Sequence, residues 1–514
     1  MPSGSPTAPS ADPTWAPLAL VAIVLGALLV ALLALGQTQW IDDSFISFRY
    51  ARNLFEGNGL VYNVGDPVEG YTNFLWCLVA WFGLKLSIDP ILFTQGVSLV
   101  AQALTLVLVY RLGRDSLGSA AKALVAPALL TLQIAFVSYP MTGMESTAFS
   151  FFATLCFYLL HKRAQEKPGG RVLLILSLLA LSVTRFDGFV LAGILAGFPL
   201  IVKRGWRGLW MPLVAVAVGL LAYNAWRIST YPSLLPNSFH AKIHFSPFRI
   251  RKGLSYLWAF FETRGLILAL CLLPLAVGRL SSLGRYLVWA VGIQLAYVGF
   301  VGGDWMLHHR FIYHVLPLVI LLAQEGTWNL WGHLQPKLSR ASRTGALLLA
   351  VLLGSTALTF YEDVQDARKP DQFFFDPHEA QIIGEALDEL LPEGSLVALE
   401  WGGIIPYYTH HEVLDTYGIT DTEISRGDFP SSIWGRQVSP EYVASRGPDL
   451  VAPCARVFET EKAALRSTRG KAPCNYRYYM EMNRPSMGYV LKILRLGEKK
   501  YWPALVKADG PLAN

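Results

Sequence analysis

Apolar runs of bilayer-spanning length recur along this chain, separated by short polar turns, from about residue 17 to residue 360. A helix needs roughly 20 predominantly apolar residues to cross a bilayer. The first run covers about 17–37, and further runs fall at about 91–110, 121–139, 146–161, 171–185, 188–202, 209–227, 265–278, 286–301, 311–324 and 344–360. This pattern predicts a polytopic α-helical membrane protein with about eleven transmembrane helices over residues 17–360. The first run is too long for a signal-peptide core and reads as a retained anchor. Residues 1–16, rich in Pro, Ser and Ala, read as a disordered cytoplasmic N-terminus. The stretch 71–86 carries aromatics and Lys85, and reads as a helix lying at the interface rather than crossing it.

The pattern changes after residue 360. Residues 376–391 have helical apolar spacing, Ser395 to Glu400 reads as a strand followed by Gly402 and Gly403, and Asp449 to Val451 reads as a second short strand. Residues 361–514 therefore read as a small soluble α/β domain. No internal repeat is visible.

Charge placement orients the chain. With a cytoplasmic N-terminus, the inside loops are Arg111 to Arg114, His161 through Arg171, Lys203 to Arg207, Arg279 through Arg285 and Lys337 through Arg343. Almost all are basic, as the positive-inside rule asks. They explain the net charge of +6 without nucleic acid as a partner. Only 16% of residues are charged and 53% are hydrophobic, whereas a soluble protein is about a quarter charged. The same topology places loop 38–90, loop 138–146, the turn 184–188, loop 228–264, loop 302–310 and the domain 361–514 on the extracytoplasmic side of a bacterial plasma membrane. Every chemically interesting loop then faces one side.

Those loops hold the candidate residues. Asp42 and Asp43 form a carboxylate pair at the end of the first span, where charge is expensive and functional by default. A helix cap needs one carboxylate, not two. One could take a proton from an acceptor hydroxyl while the other orients it, binds sugar hydroxyls or raises its partner's pKa. Glu145 opens the fourth span, either favoured there by the helix dipole or binding sugar hydroxyls. Arg185 and Asp187 share a tight turn, as an internal ion pair or with Arg185 on a phosphate. Asn237, His240 and Lys242 follow two prolines, with Lys242 a candidate phosphate ligand. Asp304, His308, His309 and Arg310 follow a Gly-Gly turn. Arg310 is a phosphate or sugar ligand in this reading, and a metal at the adjacent histidines is disfavoured because neighbours on a helix do not face the same way. No metal or cofactor is expected. Cys77, Cys156 and Cys271 lie in apolar runs and read as buried thiols. Cys454 and Cys474 lie in the polar domain and are expected to pair in an oxidising compartment, the alternative being two free thiols.

At these residues the chain resembles a known family. Asp42 through Leu54, Gly59-Leu60-Val61-Tyr62-Asn63 and Val68 through Trp76 look like the first outer loop of the mycobacterial terminal β-(1→2)-arabinofuranosyltransferases. Gly143-Met144-Glu145, Arg185-Phe186-Asp187-Gly188, Leu235-Pro236-Asn237-Ser238, Gly302-Gly303-Asp304-Trp305 and Tyr417-Gly418-Ile419-Thr420-Asp421 follow the same pattern. The resemblance implies a GT-C glycosyltransferase fold. It implies metal-independent transfer of arabinofuranose from a polyprenyl-phosphate donor to a cell-envelope glycan, with Asp42 or Asp43 as base. Mannose, glucose or aminoarabinose on a similar lipid, delivered to lipopolysaccharide or protein, is the alternative within this class. A lipid or sugar transporter is the alternative outside it, and predicts repeats and midplane charges.

Overall fold

The computed structural model describes residues 13–34, 40–165, 170–202, 208–242, 247–277, 280–306, 308–334, 350, 353–354, 356–363, 365, 376–430, 435–452, 454–469 and 479–513. The expected basic loops at 203–207 and 337–343, most of the expected run 344–360, most of the N-terminal segment and Cys474 lie outside these residues.

The helices run α1 (Ala16–Ala34), α2 (Asp42–Glu56), α3 (Phe74–Lys85), α4 (Pro90–Leu117), α5 (Ala120–Ala123), α6 (Val125–Thr131), α7 (Ile134–Ser138), α8 (Ser146–Ala164), α9 (Arg171–Thr184), α10 (Gly188–Ile201), α11 (Trp210–Thr230), α12 (Asn237–Lys242), α13 (Pro247–Thr263), α14 (Gly265–Val277), α15 (Ser282–Val301), α16 (Arg310–Tyr313) and α17 (Leu316–Leu334). Among the described residues α4, α11 and α15 are long and apolar enough to cross a membrane, or up to five spans if two bent pairs each count as one. The first bent pair breaks the expected span 121–139 between Thr131 and Ile134, with a bend of 75°. Gln133 stands at the break, where its Oε1 accepts a hydrogen bond from Arg264. The second pair corrects the reading of 228–264 as a loop. Helix α13 occupies 17 residues of it and meets α14 at 97°. Its basic residues Arg249, Arg251 and Lys252 hide an apolar periodicity, so the run does not stand out by hydropathy.

Two poles of the bundle differ in chemistry. At one, Lys162 pairs with Asp115, and Ser116 and Ser281 both donate hydroxyls to Glu325. This end gathers the turns that follow α4 and α8 and precede α15. At the other, loop 40–90, Thr142 to Glu145, Arg185, Arg227, Asn237 and residues 302–306 and 308–310 come together.

The C-terminal segment packs on that second pole. Its strands are β1 (Leu396–Leu399), β2 (Glu412–Asp415), β3 (Leu450–Ala452), β4 (Tyr489–Gly497) and β5 (Lys500–Lys507), ordered β2-β1-β3-β5-β4. Strand β1 pairs parallel with β2 on one side and β3 on the other, and β5 adds antiparallel pairs to β3 and β4. The unbroken apolar run of β1 suits a strand covered on both faces. The helix Pro377–Leu390 supplies cover by burying Ala380, Ile383, Gly384 and Leu387 at helical spacing. It starts where expected because the Asp376 side chain accepts from His378 N–H and Pro377 takes the first turn. The expected strands at 395–400 and 449–451 are β1 and β3.

Buried polar contacts fix this sheet to the outer loops. Arg49 donates to the carbonyls of Tyr62, Pro406 and His411, at 2.8 Å for the first and last. The Tyr62 hydroxyl donates to Gly402 O at 2.6 Å, and Asn63 Nδ2 donates to Val413 O at 2.9 Å. One apolar cluster runs from Phe45, Ile46 and Phe48 into Val397, Ile404 and Trp502, across this junction.

Candidate active site

Adjacent residues on a helix diverge by about 100°, and α2 uses this to send Asp42 and Asp43 to different partners. Asp42 shares its face with Ile46, Arg49 and Asn53, the face turned to the sheet and to the segment 60–63. Its carboxylate accepts from Gly403 N–H at 2.9 Å and Ile404 N–H at 2.8 Å. These are the first amides of the helix Ile404–Tyr408. Asp42 therefore caps a helix 361 positions away rather than its own. Burial pushes its carboxyl up to about 7 against the pull of those amides, and the charge of Asp43 adds to the rise.

Gly403 is required for this approach. A Cβ there would lie 1.8 Å from the Asp42 carbonyl oxygen. At the other end of the corner, Ile41 N–H donates to Thr142 O, and Gly143 holds φ +76° with Ser44 Oγ and Phe48 packed beside it. Two glycine contacts thus seat the start of α2 between the sheet and the Gly143-Met144-Glu145 turn.

Asp43 is partly exposed and lies one turn before Ser47. From Ser47 a buried chain of polar contacts leads into the site. Ser47 Oγ donates to Asn73 Oδ1 at 2.9 Å, and Asn73 Nδ2 donates to Glu145 Oε2 at 3.0 Å. Glu145 Oε1 accepts from Arg185 Nη1 at 2.7 Å, and Asp187 accepts from Arg185 Nε at 2.9 Å. Burial works against the Arg185 charge, but Asp187 and Glu145 more than reverse it and hold the guanidinium above its ordinary pKa.

Arg310 is the second cation. Its Nε donates to Asp304 Oδ2 at 2.5 Å, and its Nη1 lies 3.8 Å from Met144 Sδ, beside Glu145. Both guanidiniums sit over the Phe311 ring, Arg185 at 5.4 Å and Arg310 at 5.6 Å from its centroid. The turn that aims Arg310 is built from left-handed residues, Gly302, Gly303, His308 and His309. Such backbone persists only where surrounding structure over-determines it.

The structure thus gathers Glu145, Arg185, Asp187, Asp304 and Arg310 at one end of the bundle, with Asp43 partly exposed at the start of α2. Ser47 and Asn73, which join them, lie inside the outer-loop motif without being singled out by sequence. Their signal was the Gly70-Tyr71-Thr72-Asn73 run itself. Other candidates stand apart. Asn237 donates to the carbonyls of Gly418, Ile419 and Asp421 and accepts from Ser425 Oγ, so it clamps the C-terminal sheet to the bundle. His240 neighbours Arg426 and Arg436, and burial with those charges lowers its pKa. Lys242 offers its carbonyl to Arg249. His309 packs on Tyr256 and Phe260, and burial and Arg264 push its imidazole down to about 4. It is therefore neutral at pH 7. Among the described residues no three His, Cys, Asp or Glu side chains come together to hold a metal ion. Cys454 is disulfide-bonded, and Cys77, Cys156 and Cys271 are buried and free.

Comparison with known proteins places this geometry. The chain matches the crystal structures of ArnT from Cupriavidus metallidurans, one bound to undecaprenyl phosphate and one in the apo state. Both superpose with a TM-score of 0.57, at 13% and 14% identity, over 96% of this chain and 98% and 97% of theirs. The chain has the GT-C fold. It is also 29% identical over 223 residues to the terminal beta-(1->2)-arabinofuranosyltransferase of Mycobacterium tuberculosis (strain ATCC 25618 / H37Rv). That match covers 40% of this chain and spans about a third, 35%, of the relative. Residues 374–490 match a domain of unknown function (DUF8728). The GT-C fold thus carries, at one pole, two arginines paired with Glu145, Asp187 and Asp304.

Proposed function

We propose that this protein is a membrane glycosyltransferase that moves a sugar, D-arabinofuranose, from a polyprenyl-phosphate donor to a cell-envelope glycan. One observation carries the reading. A partly exposed carboxylate, Asp43, opens the helix whose next turn is wired through Ser47, Asn73 and Glu145 to Arg185, and Arg185 shares an aromatic ring with Arg310.

In this reading the two arginines meet the donor phosphate. Arg185 is held at Nε by Asp187 and at Nη1 by Glu145, and Arg310 at Nε by Asp304, which fixes each guanidinium plane while its other N–H groups address the phosphate oxygens. Asp43 takes the proton of the acceptor hydroxyl, the hydroxyl oxygen bonds to the anomeric carbon, and the bond from that carbon to the phosphate oxygen breaks. Polyprenyl phosphate leaves with its charge stabilised by Arg185 and Arg310. Asp42 holds α2 against the sheet and is a positioning residue. Glu145, Asp187 and Asp304 orient the arginines.

The same reading places the pole with Asp43 outside a bacterial inner membrane, with the sheet beside it, about eleven spans and the Lys162–Asp115 pole in the cytoplasm. The basic residues near that second pole support it. The ArnT structure bound to undecaprenyl phosphate supports a lipid-phosphate donor, and the mycobacterial relative supports arabinofuranose. The test is donor turnover by the purified full-length protein. Release of polyprenyl phosphate from polyprenyl-phosphoryl-arabinose, dependent on protein, supports it. Release only from lipid-linked mannose or aminoarabinose moves the sugar assignment and leaves the chemistry.

A further inference from the structure

His314 is a buried histidine with an unpartnered nitrogen. The residue is 1% exposed, and its Nε2 has no hydrogen-bond partner among the described residues. The large majority of buried side-chain polar atoms have one, because an unmet buried group destabilises the fold. A leucine or phenylalanine would fill such a place without that cost, so packing does not explain the imidazole.

The surroundings of His314 are the arginine pair. His314 closes the short helix α16 that begins with Arg310, and its backbone N–H donates to Arg310 O at 3.3 Å. Residues four apart on a helix share a face, so the imidazole stands on the Arg310 side, one turn on. Its ring lies edge-on to Phe149, with centroids 4.7 Å apart, and 5.8 Å from Phe311. The same two rings carry the cations. Arg185 lies 5.7 Å from the Phe149 centroid and 5.4 Å from that of Phe311, and Arg310 lies 5.6 Å from Phe311. The charged groups that act on His314 are these two arginines. Glu145, Asp187 and Asp304 bond the guanidiniums instead.

Nearby polar groups are paired. The Tyr313 hydroxyl donates to Thr147 Oγ1 at 3.1 Å, and Tyr313 O accepts from Ser150 Oγ at 3.3 Å. Ser146, next to Glu145, is the exception. Spacings of three and four put it on the face of α8 that holds Phe149 and Ser150. It too is fully buried, with an Oγ that has no partner among the described residues. Pairing therefore fails on both sides of the α8–α16 contact, beside the arginines.

We propose that His314 is a third ligand of the phosphate held by Arg185 and Arg310, with Nε2–H donating to a phosphate oxygen. This rests on the glycosyltransferase reading and adds a binding residue to its donor site. The nitrogen destabilises the protein by itself and is repaid in the complex, where it adds a directed bond to the departing phosphate.

Calorimetric titration of the purified full-length protein with undecaprenyl phosphate, the lipid bound in the ArnT structure, tests this beside melting temperatures measured without lipid. His314→Leu is similar in volume and His314→Phe keeps a ring, and both lack the nitrogen. At least one of them should melt no lower than wild type, since an unmet buried group is gone, yet bind the lipid roughly tenfold or more weakly. His314→Gln, which keeps an N–H donor, should bind within about threefold of wild type. A histidine that served only the fold would give the reverse, a lowered melting temperature with affinity kept. Wild-type affinity in a folded His314→Leu or His314→Phe protein overturns the proposal and leaves the donor reading standing. So does a melting temperature well below wild type in both, or failure of both to fold, since the nitrogen would then have a partner within the protein. Wild-type protein that does not bind undecaprenyl phosphate overturns the donor reading, and the His314 role with it.

Discussion

The Asp42 carboxylate and the Gly403 amide meet at 2.9 Å across 361 positions of sequence, and this bond joins the first outer loop to the C-terminal sheet. It separates the roles of two neighbouring carboxylates. Asp42 is committed to the sheet, while Asp43, one residue on, is partly exposed.

The bond makes Asp42→Asn a stability variant. An amide retains one acceptor for the two N–H donors and sets an NH2 group against the other. Leaving a buried donor unmet costs roughly 1–3 kcal/mol. The melting temperature in detergent should fall, and protease should cut between the bundle and the sheet more readily than in wild type. An unchanged melting temperature would remove the latch role.

The same group predicts a pH dependence. Its folded-state pKa, about 7, lies above the roughly 3.9 of an unfolded Asp. Between these values the folded chain holds a proton that the unfolded chain has released. The stabilisation is full below about pH 4 and is lost as pH rises through about 7. Glu69, pushed up to about 7 by burial against the pull of Arg227, contributes in the same direction. The Asp42 share is therefore read from a difference. The fall in melting temperature between pH 5 and pH 8 should be steeper in wild type than in Asp42→Asn.

Gly403→Ala tests the close approach more severely. The new methyl has no room beside the Asp42 carbonyl, so the junction must open. Limited proteolysis should release the C-terminal segment, and transfer activity should fall with it. Gly26→Ala, with no atom within 4 Å of the added methyl, is the neutral control.

Glu145→Gln probes the arginine clamp. Arg185 then keeps Asp187 and loses a buried charge partner at 2.7 Å, a change that costs about 3–5 kcal/mol where a buried pair is broken. Donor turnover should fall at least tenfold, and Asn73→Ala, which frees the other oxygen of Glu145, should move activity in the same direction. Wild-type turnover in a folded Glu145→Gln protein would show that the clamp does not position Arg185.

Much of this was legible in the sequence because it is local. Apolar run lengths marked the bundle, and the caps and spacing around Pro377–Leu390 marked its helix. The first-loop motif marked Asp42 and Asp43. What was not legible depends on distant partners. The two aspartates look alike in sequence, and only the arrival of Gly403 and Ile404 tells them apart. Asn237 reads as a loop residue until Gly418, Ile419 and Asp421 close around it. Strand β2 went unread because only Val413 and Leu414 in it are apolar, and β4 and β5 because Lys492, Arg495, Lys500 and Lys507 interrupt the apolar pattern on the hairpin. The bend at Thr131–Ile134 was hidden because a hydropathy window averages over a single glutamine.

The most direct measurement is label transfer from radiolabelled polyprenyl-phosphoryl-arabinose to a short arabinofuranose acceptor, with wild type, Asp43→Asn and Asp42→Asn side by side. A general base contributes typically 10²–10⁴-fold. The account predicts a loss of about that size in Asp43→Asn at an unchanged melting temperature, and a smaller loss in Asp42→Asn that tracks its lowered stability. Full transfer by folded Asp43→Asn protein would contradict it.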